Sequence, residues 1–414
     1  MSSSNYQDLG VSSKKEAVHN AVKNNSKGLY PYSFCKIEPC ASNAPKIISA
    51  IQKIFNLDMV DTIHADGAGT KTALAYIYWK ETGDMSVWRN VVQDSIVMNL
   101  DDVACIGAMS GNMRLASNID RNTFNIPAEV IAELINGENL FLAKMREYGI
   151  TNITGQSGET ADVPDLTGTV VVNNTLYAKM RRKDVIDNGR IDAGDYIIGL
   201  ASDGIAAYEN EYNGGMGSNG LTLGRHGVFS KEYAEKYPES YDHHHLEAGT
   251  KAYRGTKKLD DLIDVKPGLK IPAGKLVLSP TRTYAPIIKA MGKAGIGAGK
   301  INGMVHCSGG GQTKVLNYLS KPLLIDKTDM FRVPALFNMI QAESDTDWKE
   351  MYQDFNMGHR MEIYVPGCKT AADIIKISEA FGVPAHIVGR VAKGISGNSM
   401  VRINSQHGVF SYSR

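Results

Sequence analysis

The chain has 414 residues, enough for two domains that each bury a core of their own. Its 45 Lys and Arg residues nearly balance its 44 Asp and Glu residues, and the net charge of +1 excludes a bulk field that would attract nucleic acid or an anionic membrane. Hydrophobic residues make up 43% of the chain but fall in runs far shorter than the roughly 20 residues of a membrane span. Five cysteines, mostly far apart, argue against a disulfide framework, and the first residues lack the features of a secretory signal, so we expect a cytoplasmic protein.

The first 55 residues are largely polar. Residues 14–22 have a helical pattern, and residues 29–34 form an aromatic stretch that is interrupted by Pro31. We expect much of this segment to lie over the surface, where it could act as a mobile cover.

A glycine-containing loop follows at residues 66–71, which read Asp-Gly-Ala-Gly-Thr-Lys. The β-branched residues before it predict a strand, and residues 72–78 after it predict a helix. A carboxylate can hold a divalent cation, glycines let backbone N–H groups approach anionic oxygens, and Lys71 adds a positive charge. The spacing differs from that of a Walker loop. The loop is therefore a candidate polyphosphate site of another kind, with a plain turn between strand and helix as the alternative.

The next helix is predicted from Trp88 to about Gly107, because its apolar residues fall on one arc. Asp94 and Asp101 share an edge of that arc, and Asp102 lies further round the polar side. On an unbroken helix Asp94 and Asp102 stand about 12 Å apart along the axis, too far to clasp one ion unaided. Spacing alone supports either neighbouring magnesium ions or a solvated helix face.

Further elements complete the first half of the chain. A long helical pattern runs from Ile126 to Met145, a strand and a glycine loop with carboxylates occupy residues 153–162, and another strand is predicted around residues 170–178. The composition changes at the charged residues 181–184. We therefore predict an N-terminal domain of residues 1–185 and a C-terminal domain of residues 186–414.

The second half opens with an irregular region from Ser202 to about Lys275. It contains a glycine-rich stretch at residues 214–220 and three histidines at residues 243–245. Consecutive histidines point in different directions on any regular backbone, which favours a solvated loop over a metal site. A helix with an apolar stripe is predicted after residues 280–284.

A second glycine loop, His306-Cys-Ser-Gly-Gly-Gly311, leads into a helix predicted from about Gln312. Three glycines at a helix start can expose N–H groups toward an anion, although a plain helix entry is the alternative. A helix over residues 371–381 and a strand over residues 386–391 are predicted next. Helix and strand signals alternate in both halves, which indicates an α/β or α+β chain of two domains.

Seven stretches resemble, in the same order, motifs of the phosphoribosylformylglycinamidine cyclo-ligase family, the aminoimidazole ribonucleotide synthetases. They are residues 66–71, 94–108, 158–161, 218–220, 280–282, 306–311 and 355–358. The resemblance runs from Tyr6 to about Val391 and is interrupted by a longer stretch at about residues 203–275, which we interpret as an insertion.

The resemblance implies a homodimer in which the N-terminal domains together close a β-barrel, each followed by a C-terminal α/β domain. It implies binding of ATP and of Mg²⁺, with the metal held by Asp66, Asp94 and Asp102. The implied reaction is the ATP-dependent cyclisation of formylglycinamidine ribonucleotide to aminoimidazole ribonucleotide, with release of ADP and phosphate, in de novo purine synthesis. Nucleic acid and membrane are not expected as partners.

The resemblance also implies roles for individual residues. Lys71 would steady the transferring phosphoryl group, and His306 would move a proton or touch the substrate phosphate, with a structural role for this histidine as the alternative. Contacts to nucleotide and phosphate are implied for Asp66, Gly67, Gly69, Thr70, Lys71, Glu159, Asn219, Gly309, Gly310 and Gly311.

Three departures from the family pattern stand out. Residues 29–40 replace a glycine-rich loop, His359 and Arg360 follow Gly358 where the family has small residues, and residues 202–275 are longer than usual. Other readings are a thiamine monophosphate kinase, a selenophosphate synthetase or a formylglycinamidine ribonucleotide synthetase of the same superfamily, or a catalytically silent nucleotide-binding relative.

Overall fold

The computed structural model describes residue 9 and residues 27–40, 58–155, 158–247, 252–394 and 397–413. The helical pattern at residues 14–22 lies outside these residues.

The first sheet has six strands in the order β1-β2-β6-β3-β4, with β5 also paired to β3. The strands are β1 (Glu38–Pro39), β2 (Met59–Gly67), β3 (Asn112–Arg121), β4 (Ile153–Gly155), β5 (Glu159–Asp162) and β6 (Val170–Arg181). Burial alternates along β6, as the period of two in a one-sided sheet requires. Within the described part of this single chain the sheet is open, so the expected barrel needs a second copy and stays a prediction.

Three helices follow the order predicted for this half: α1 (Lys71–Thr82), α2 (Val87–Cys105) and α3 (Ala128–Glu147). Helix α2 contacts β2 and β6 of the first sheet and also strand Gly303–His306 of the second sheet. Because α2 is enclosed between the two sheets, Asp94, Asp101 and Asp102 are buried together with its apolar arc. The interpretation of these carboxylates as a solvated helix face was wrong.

The second sheet has seven strands in the order β10-β12-β7-β13-β11-β14-β15, and β8 and β9 form a separate hairpin. The strands are β7 (Tyr196–Ala201), β8 (Leu262–Lys266), β9 (Leu269–Pro272), β10 (Gly303–His306), β11 (Leu323–Lys327), β12 (His359–Val365), β13 (Ala385–Lys393), β14 (Met400–Ser405) and β15 (Gly408–Ser413). Strand β12 is buried along its whole length.

The helices of this half are mostly short. They are α4 (Leu221–His226), α5 (Glu232–Lys236), α6 (His244–Glu247), α7 (Ala273–Val277), α8 (Ala285–Lys293), α9 (Ala335–Ser344), α10 (Trp348–Asp354) and α11 (Cys368–Ala380). The region predicted to be irregular thus contains short helices and the β8-β9 hairpin. The helix predicted from Gln312 is a 3₁₀-helix, Gly311–Tyr318. His243 and His244 are exposed, as a solvated segment requires.

One apolar core joins the two halves. Phe34 belongs to it and stacks on Tyr318 with ring centroids 4.7 Å apart. The prediction of a surface cover was therefore wrong for residues 33–35, which are buried because the aromatic side chain packs against the 3₁₀-helix. Among the helices of the described residues, none combines the length and the apolar composition that crossing a membrane requires.

Candidate functional site

The loop between β2 and α1 has the strand-loop-helix context that the sequence predicted. A Cβ atom on Gly67 would collide with Asn173 of the adjacent β6, so the close approach of these strands requires glycine. Gly69 has φ +58°, which also favours glycine. The Asp66 side chain is exposed, and its Oδ1 accepts a hydrogen bond of 2.7 Å from the Gly67 N–H. Asp66, Gly69 and Thr70 are thus accessible to a ligand.

Lys71 points away from that loop, into the protein. Its ammonium lies 2.8 Å from Asp94 Oδ1 and donates to the Ser279 carbonyl at 2.5 Å, and the residue has no exposed surface. Burial lowers the pKa of Lys71, opposed by the attraction of Asp94. In this arrangement Lys71 does not present its charge to a phosphoryl group. Sequence analysis could not show this, because the partner carboxylate lies 23 positions along the chain.

The three aspartates predicted to hold Mg²⁺ do not converge. Asp94 Oδ1 also accepts hydrogen bonds from the N–H and the hydroxyl of Thr281, at 2.7 and 2.5 Å. Asp102 is engaged by two histidines, and Asp66 lies at the exposed loop. Within the described ranges, no three His, Cys, Asp or Glu side chains are grouped to bind a metal ion. In this arrangement the predicted set is not grouped as a shared Mg²⁺ site: Asp94 Oδ1 and both oxygens of Asp102 have partners within the protein, while Asp94 Oδ2 is buried without a hydrogen-bond partner among the described residues.

Asp102 joins His306 of the second sheet to His64 of the first. Its Oδ1 lies 2.7 Å from His306 Nδ1, and its Oδ2 lies 3.4 Å from His64 Nε2. Burial by itself would raise the pKa of Asp102, but Lys314 and His306 outweigh it and lower the pKa. Burial also lowers the pKa of His306, against the opposing effect of Asp102. The pair is therefore a carboxylate beside a neutral imidazole whose Nδ1–H donates to Asp102.

The second ring nitrogen of His306, Nε2, bears on whether this residue can act as a base. Nε2 is buried and has no hydrogen-bond partner in the described part of the chain. With the proton on Nδ1, Nε2 carries a lone pair that can accept a proton or a hydrogen bond. This geometry suits a base that is oriented by a carboxylate.

Asp101 is buried, and its carboxylate is held by structural hydrogen bonds. Its carboxylate accepts hydrogen bonds from the Thr283 hydroxyl at 2.6 Å and from the Tyr284 N–H. Burial raises the pKa of Asp101 to about 7, partly offset by these donors. Asp101 thus ties helix α2 to the segment before α8.

The three glycine-containing motifs lie side by side. The Thr70 and Thr222 hydroxyls are 3.1 Å apart, and a Cβ on Gly69 would stand 3.5 Å from the Ser218 carbonyl oxygen. A Cβ on Gly309 would in turn stand 3.1 Å from Asn219 Nδ2. One continuous lining of the candidate site is therefore formed by residues 66–71, 218–220 and 306–311. These stretches are separated by up to about 240 positions in sequence.

The glycines of the C-terminal loop are not equivalent. Gly309 and Gly310 are partly exposed, whereas Gly311 is buried and donates its N–H to the Ser308 carbonyl at 3.0 Å. Gly311 therefore shapes the turn instead of offering its N–H to an anion. Sequence analysis missed Lys314, one turn later, whose ammonium lies 2.6 Å from the Ser308 hydroxyl. The position of Lys314 shortly after the three glycines was the feature of the sequence that could have identified it.

Glu159 is exposed but distant from Asp66. The strand registers align Gly67 with Asn173, Asn173 with Asn118, and Asn118 with Glu159. Three strand spacings separate the ends of this row, about 14 Å. Glu159 can therefore meet only another part of a ligand that contacts Asp66.

His359 and Arg360, which depart from the family pattern, are both buried. His359 Nε2 lies 2.9 Å from Glu362, which also pairs with Lys327. The Arg360 guanidinium donates to the Arg282 carbonyl and extends toward the 217–220 loop. His359 is thus a structural residue, whereas Arg360 reaches the site.

The fold consists of two mixed α/β halves that meet at glycine-rich loops, and this architecture defines a class of two-domain proteins. The amino-acid sequence shows to which family of that class the chain belongs. Residues 50–172 match the N-terminal domain of the AIR synthase related proteins, and residues 192–401 match their C-terminal domain. The chain belongs to the AIR synthase related protein family.

Individual relatives narrow the comparison. The chain is 27% identical over 331 residues to the phosphoribosylformylglycinamidine cyclo-ligase of Methanococcus vannielii, covering 80% of this chain and 77% of that protein. It is 28% identical over 329 residues to the same enzyme of Methanosarcina mazei, covering 79% and 78%. A chain of a HypE-HypF complex has the same fold, with a TM-score of 0.51, 11% identity and coverage of 98% and 99%.

Proposed function

We propose that this protein catalyses the ATP-dependent cyclisation of formylglycinamidine ribonucleotide to aminoimidazole ribonucleotide, with release of ADP and phosphate, in the cytoplasmic synthesis of purines. The names of the relatives and the seven motifs in family order support this proposal. The observation that carries it is the continuous lining formed by residues 66–71, 218–220 and 306–311, since a reaction between two substrates needs both held in one place.

In the proposed chemistry, the formyl oxygen of the substrate attacks the γ-phosphoryl group of ATP and ADP leaves. The amidine nitrogen then attacks the formyl carbon, and the former formyl oxygen departs from that carbon as part of the released phosphate. Phosphoryl transfer of this kind depends mainly on placement and on stabilisation of charge. The exposed loop from Asp66 to Thr70 would receive the nucleotide.

His306 takes the role of base in this proposal. Its Nε2 lone pair would accept the proton that the amidine nitrogen loses on ring closure, while Asp102 fixes the ring through Nδ1. Lys71 has no part in the transfer, because its ammonium is held by Asp94 and Ser279.

We further propose that Mg²⁺ accompanies ATP and that Asp66 is the carboxylate that meets it. Mg²⁺ is commonly bound through one or two carboxylates together with substrate phosphates. We also propose a homodimer in which the open six-stranded sheet closes a barrel with its twin. Size-exclusion chromatography with light scattering tests this assembly, and a monomer at micromolar concentration would contradict it.

The function is tested by measuring ADP release with Mg²⁺, ATP and candidate substrates. We expect release only with formylglycinamidine ribonucleotide, and none with thiamine monophosphate or selenide. Release that ignores formylglycinamidine ribonucleotide, or that follows thiamine monophosphate, contradicts the proposal.

A further inference from the structure

Lys314 is a partly exposed lysine beside the second glycine loop. Its ammonium nitrogen lies 2.6 Å from the Ser308 hydroxyl oxygen and 4.8 Å from the centre of the Phe34 ring. A Cβ on Gly310 would stand 3.7 Å from Lys314 Cβ, so the side chain starts next to the partly exposed glycines. An ammonium has three N–H donors, and Ser308 is its one hydrogen-bond acceptor among the described residues. The other two N–H groups have no acceptor in that part of the chain and can serve a ligand.

The charge of Lys314 is not neutralised by an ion pair. Lys71 is fully buried and pairs with Asp94. Lys314, in contrast, forms no ion pair with the Asp and Glu residues whose positions are described. Phosphoryl transfer is promoted by a fixed positive charge at the oxygens where negative charge develops. Because Lys71 is held by Asp94, Lys314 is the better placed of these two lysines to supply that charge.

Lys314 is also linked to the proposed base. The Ser308 hydroxyl, which accepts from Lys314, donates to the His306 carbonyl oxygen at 3.4 Å. Burial raises the pKa of Asp102, and the charge of Lys314 is the strongest of the effects that outweigh burial and lower it. The ammonium is therefore near the carboxylate that holds His306.

The proposed reaction requires a cation close to this base. The proton that His306 accepts comes from the nitrogen that attacks the formyl carbon, and the transferred phosphoryl group is carried by the oxygen of that same carbon. The base and the phosphoryl group must therefore lie side by side. A cation linked to His306 is in the right part of the site to meet the phosphoryl oxygens.

We propose that Lys314 is the catalytic cation that stabilises the transferred phosphoryl group, the part that the first glycine motif implied for Lys71. The inference rests on the proposed function and adds to it the residue that balances the developing negative charge. During the transfer, a bond forms between the formyl oxygen and phosphorus, and the bond between phosphorus and the ADP oxygen breaks. Lys314 keeps its proton throughout and contributes only its charge and its hydrogen bonds.

Kinetics with Lys314→Met and Lys314→Arg test the role. Removal of the charge in Lys314→Met should lower kcat about 10²- to 10³-fold, with little change in the KM for ATP or for formylglycinamidine ribonucleotide. Lys314→Arg should recover part of the loss, because it keeps the charge. The same factor is expected with formylglycinamidine riboside, which lacks the phosphate. A raised KM that is confined to the phosphorylated substrate would assign Lys314 to the phosphate of the ribonucleotide and overturn the proposal.

Lys289→Met is the matched control. Lys289 is also partly exposed, donates to a single carbonyl, that of Met109, at 2.7 Å, and forms no ion pair in the described ranges. It borders a separate cavity, beside Met109 and Ile186. Its kcat should stay within about twofold of the wild-type value, since no charge is removed from the site. A kcat in Lys314→Met that is equal to the kcat of this control would overturn the proposal.

Phosphate binding separates this inference from the proposed function, because it needs no turnover. Inorganic phosphate is titrated calorimetrically into the protein in the presence of Mg²⁺ and ADP, where it takes the place of the transferred group. Lys314→Met should bind phosphate about 10- to 100-fold more weakly than the wild type, as loss of a charge-assisted hydrogen bond does, and Lys289→Met should bind it normally. This result is expected even if ADP release proves independent of formylglycinamidine ribonucleotide, which would overturn the proposed function alone. Phosphate binding that is equal in the wild type and Lys314→Met, or absent from both, would overturn the inference.

Discussion

The ammonium nitrogen of Lys71 lies 2.8 Å from Oδ1 of Asp94, and neither side chain is more than 1% exposed. Lys71 begins the helix after the first glycine loop, and Asp94 also holds Thr281 of the C-terminal half. The pair therefore fixes the loop at residues 66–70 relative to the segment at residues 279–281. Because the Lys71–Asp94 pair lies next to the loop, it positions the loop and does not contact phosphate directly.

Lys71→Met is expected to destabilise the protein, because it leaves the Asp94 carboxylate buried without its cation. Breaking one half of a buried pair costs about 3–5 kcal/mol. The double variant Lys71→Met with Asp94→Asn should recover much of that loss, since both charges are removed and the Thr281 bonds can remain. Urea unfolding measures both effects. A Lys71→Met protein of wild-type stability with a raised KM for ATP would instead show that Lys71 reaches the nucleotide.

Asp66→Asn should reduce turnover about 10²- to 10³-fold, the scale seen when a group that stabilises developing charge is removed. The melting temperature should not change, because the side chain is exposed. Asp162→Asn is a suitable control, since Asp162 is exposed and pairs with Arg121 at the surface. Wild-type turnover in Asp66→Asn would mean that the loop is only a turn.

His306→Gln is expected to lower kcat about 10²- to 10⁴-fold, as loss of a positioned base does. Burial lowers the pKa of His306 below its ordinary value of 6.5, so the base form persists as the pH falls. The acid limb of the kcat/KM profile that reports this residue should therefore lie below pH 6.5, and His306→Gln should remove it. The exposed His244→Gln serves as a control. An unchanged profile in His306→Gln would exclude the role.

The buried carboxylate of Glu362 is expected to make the stability of the fold depend on pH in acid. Burial by itself would raise the pKa of Glu362, but Lys327 and the His359 hydrogen bond outweigh it and lower the pKa to about 2. The ordinary value is 4.5, so the unfolded chain binds a proton first as the pH falls. The stabilisation by this carboxylate is complete above pH 4.5 and is lost between pH 4.5 and about 2.

Glu362→Gln should flatten the pH dependence of the unfolding free energy in that window. It should also cost about 3–5 kcal/mol at pH 7, because Lys327 keeps its buried charge. Lys327 binds the carbonyl and side chain of Gln312 at 2.7 and 2.8 Å, so the turn after Gly311 should loosen as well. Urea unfolding at pH 3 and pH 7 is the measurement. An acid slope equal to that of the wild type would contradict the network.

The strand-loop-helix context of residues 66–71 could be predicted, because it depends on local periodicity and on glycine. The apolar arc of α2 was likewise predicted correctly. The direction of the Lys71 side chain was not predictable, because it depends on Asp94 and Ser279, which are distant in sequence. Strand β12 was missed for a related reason, since a strand buried on both faces loses the alternation that identifies strands.

The partners of the predicted metal ligands were not predictable for the same reason. Asp94 and Asp102 were correctly placed on one helix, but sequence spacing gave no indication that Thr281 and His306 would engage them. Lys314 was overlooked, and Arg360 was noted only as a departure from a pattern. For Asp94 and Asp102 the partners, Thr281 and His306, are supplied by the other half of the fold.

The most direct test follows the oxygen atom of the formyl group. Formylglycinamidine ribonucleotide labelled with oxygen-18 in that group is converted with unlabelled ATP, and the released phosphate is analysed by mass spectrometry. Attack of the formyl oxygen on the γ-phosphoryl group predicts one heavy oxygen in each phosphate. Phosphate without the label, or ADP formed without aminoimidazole ribonucleotide, would contradict the proposed cyclisation.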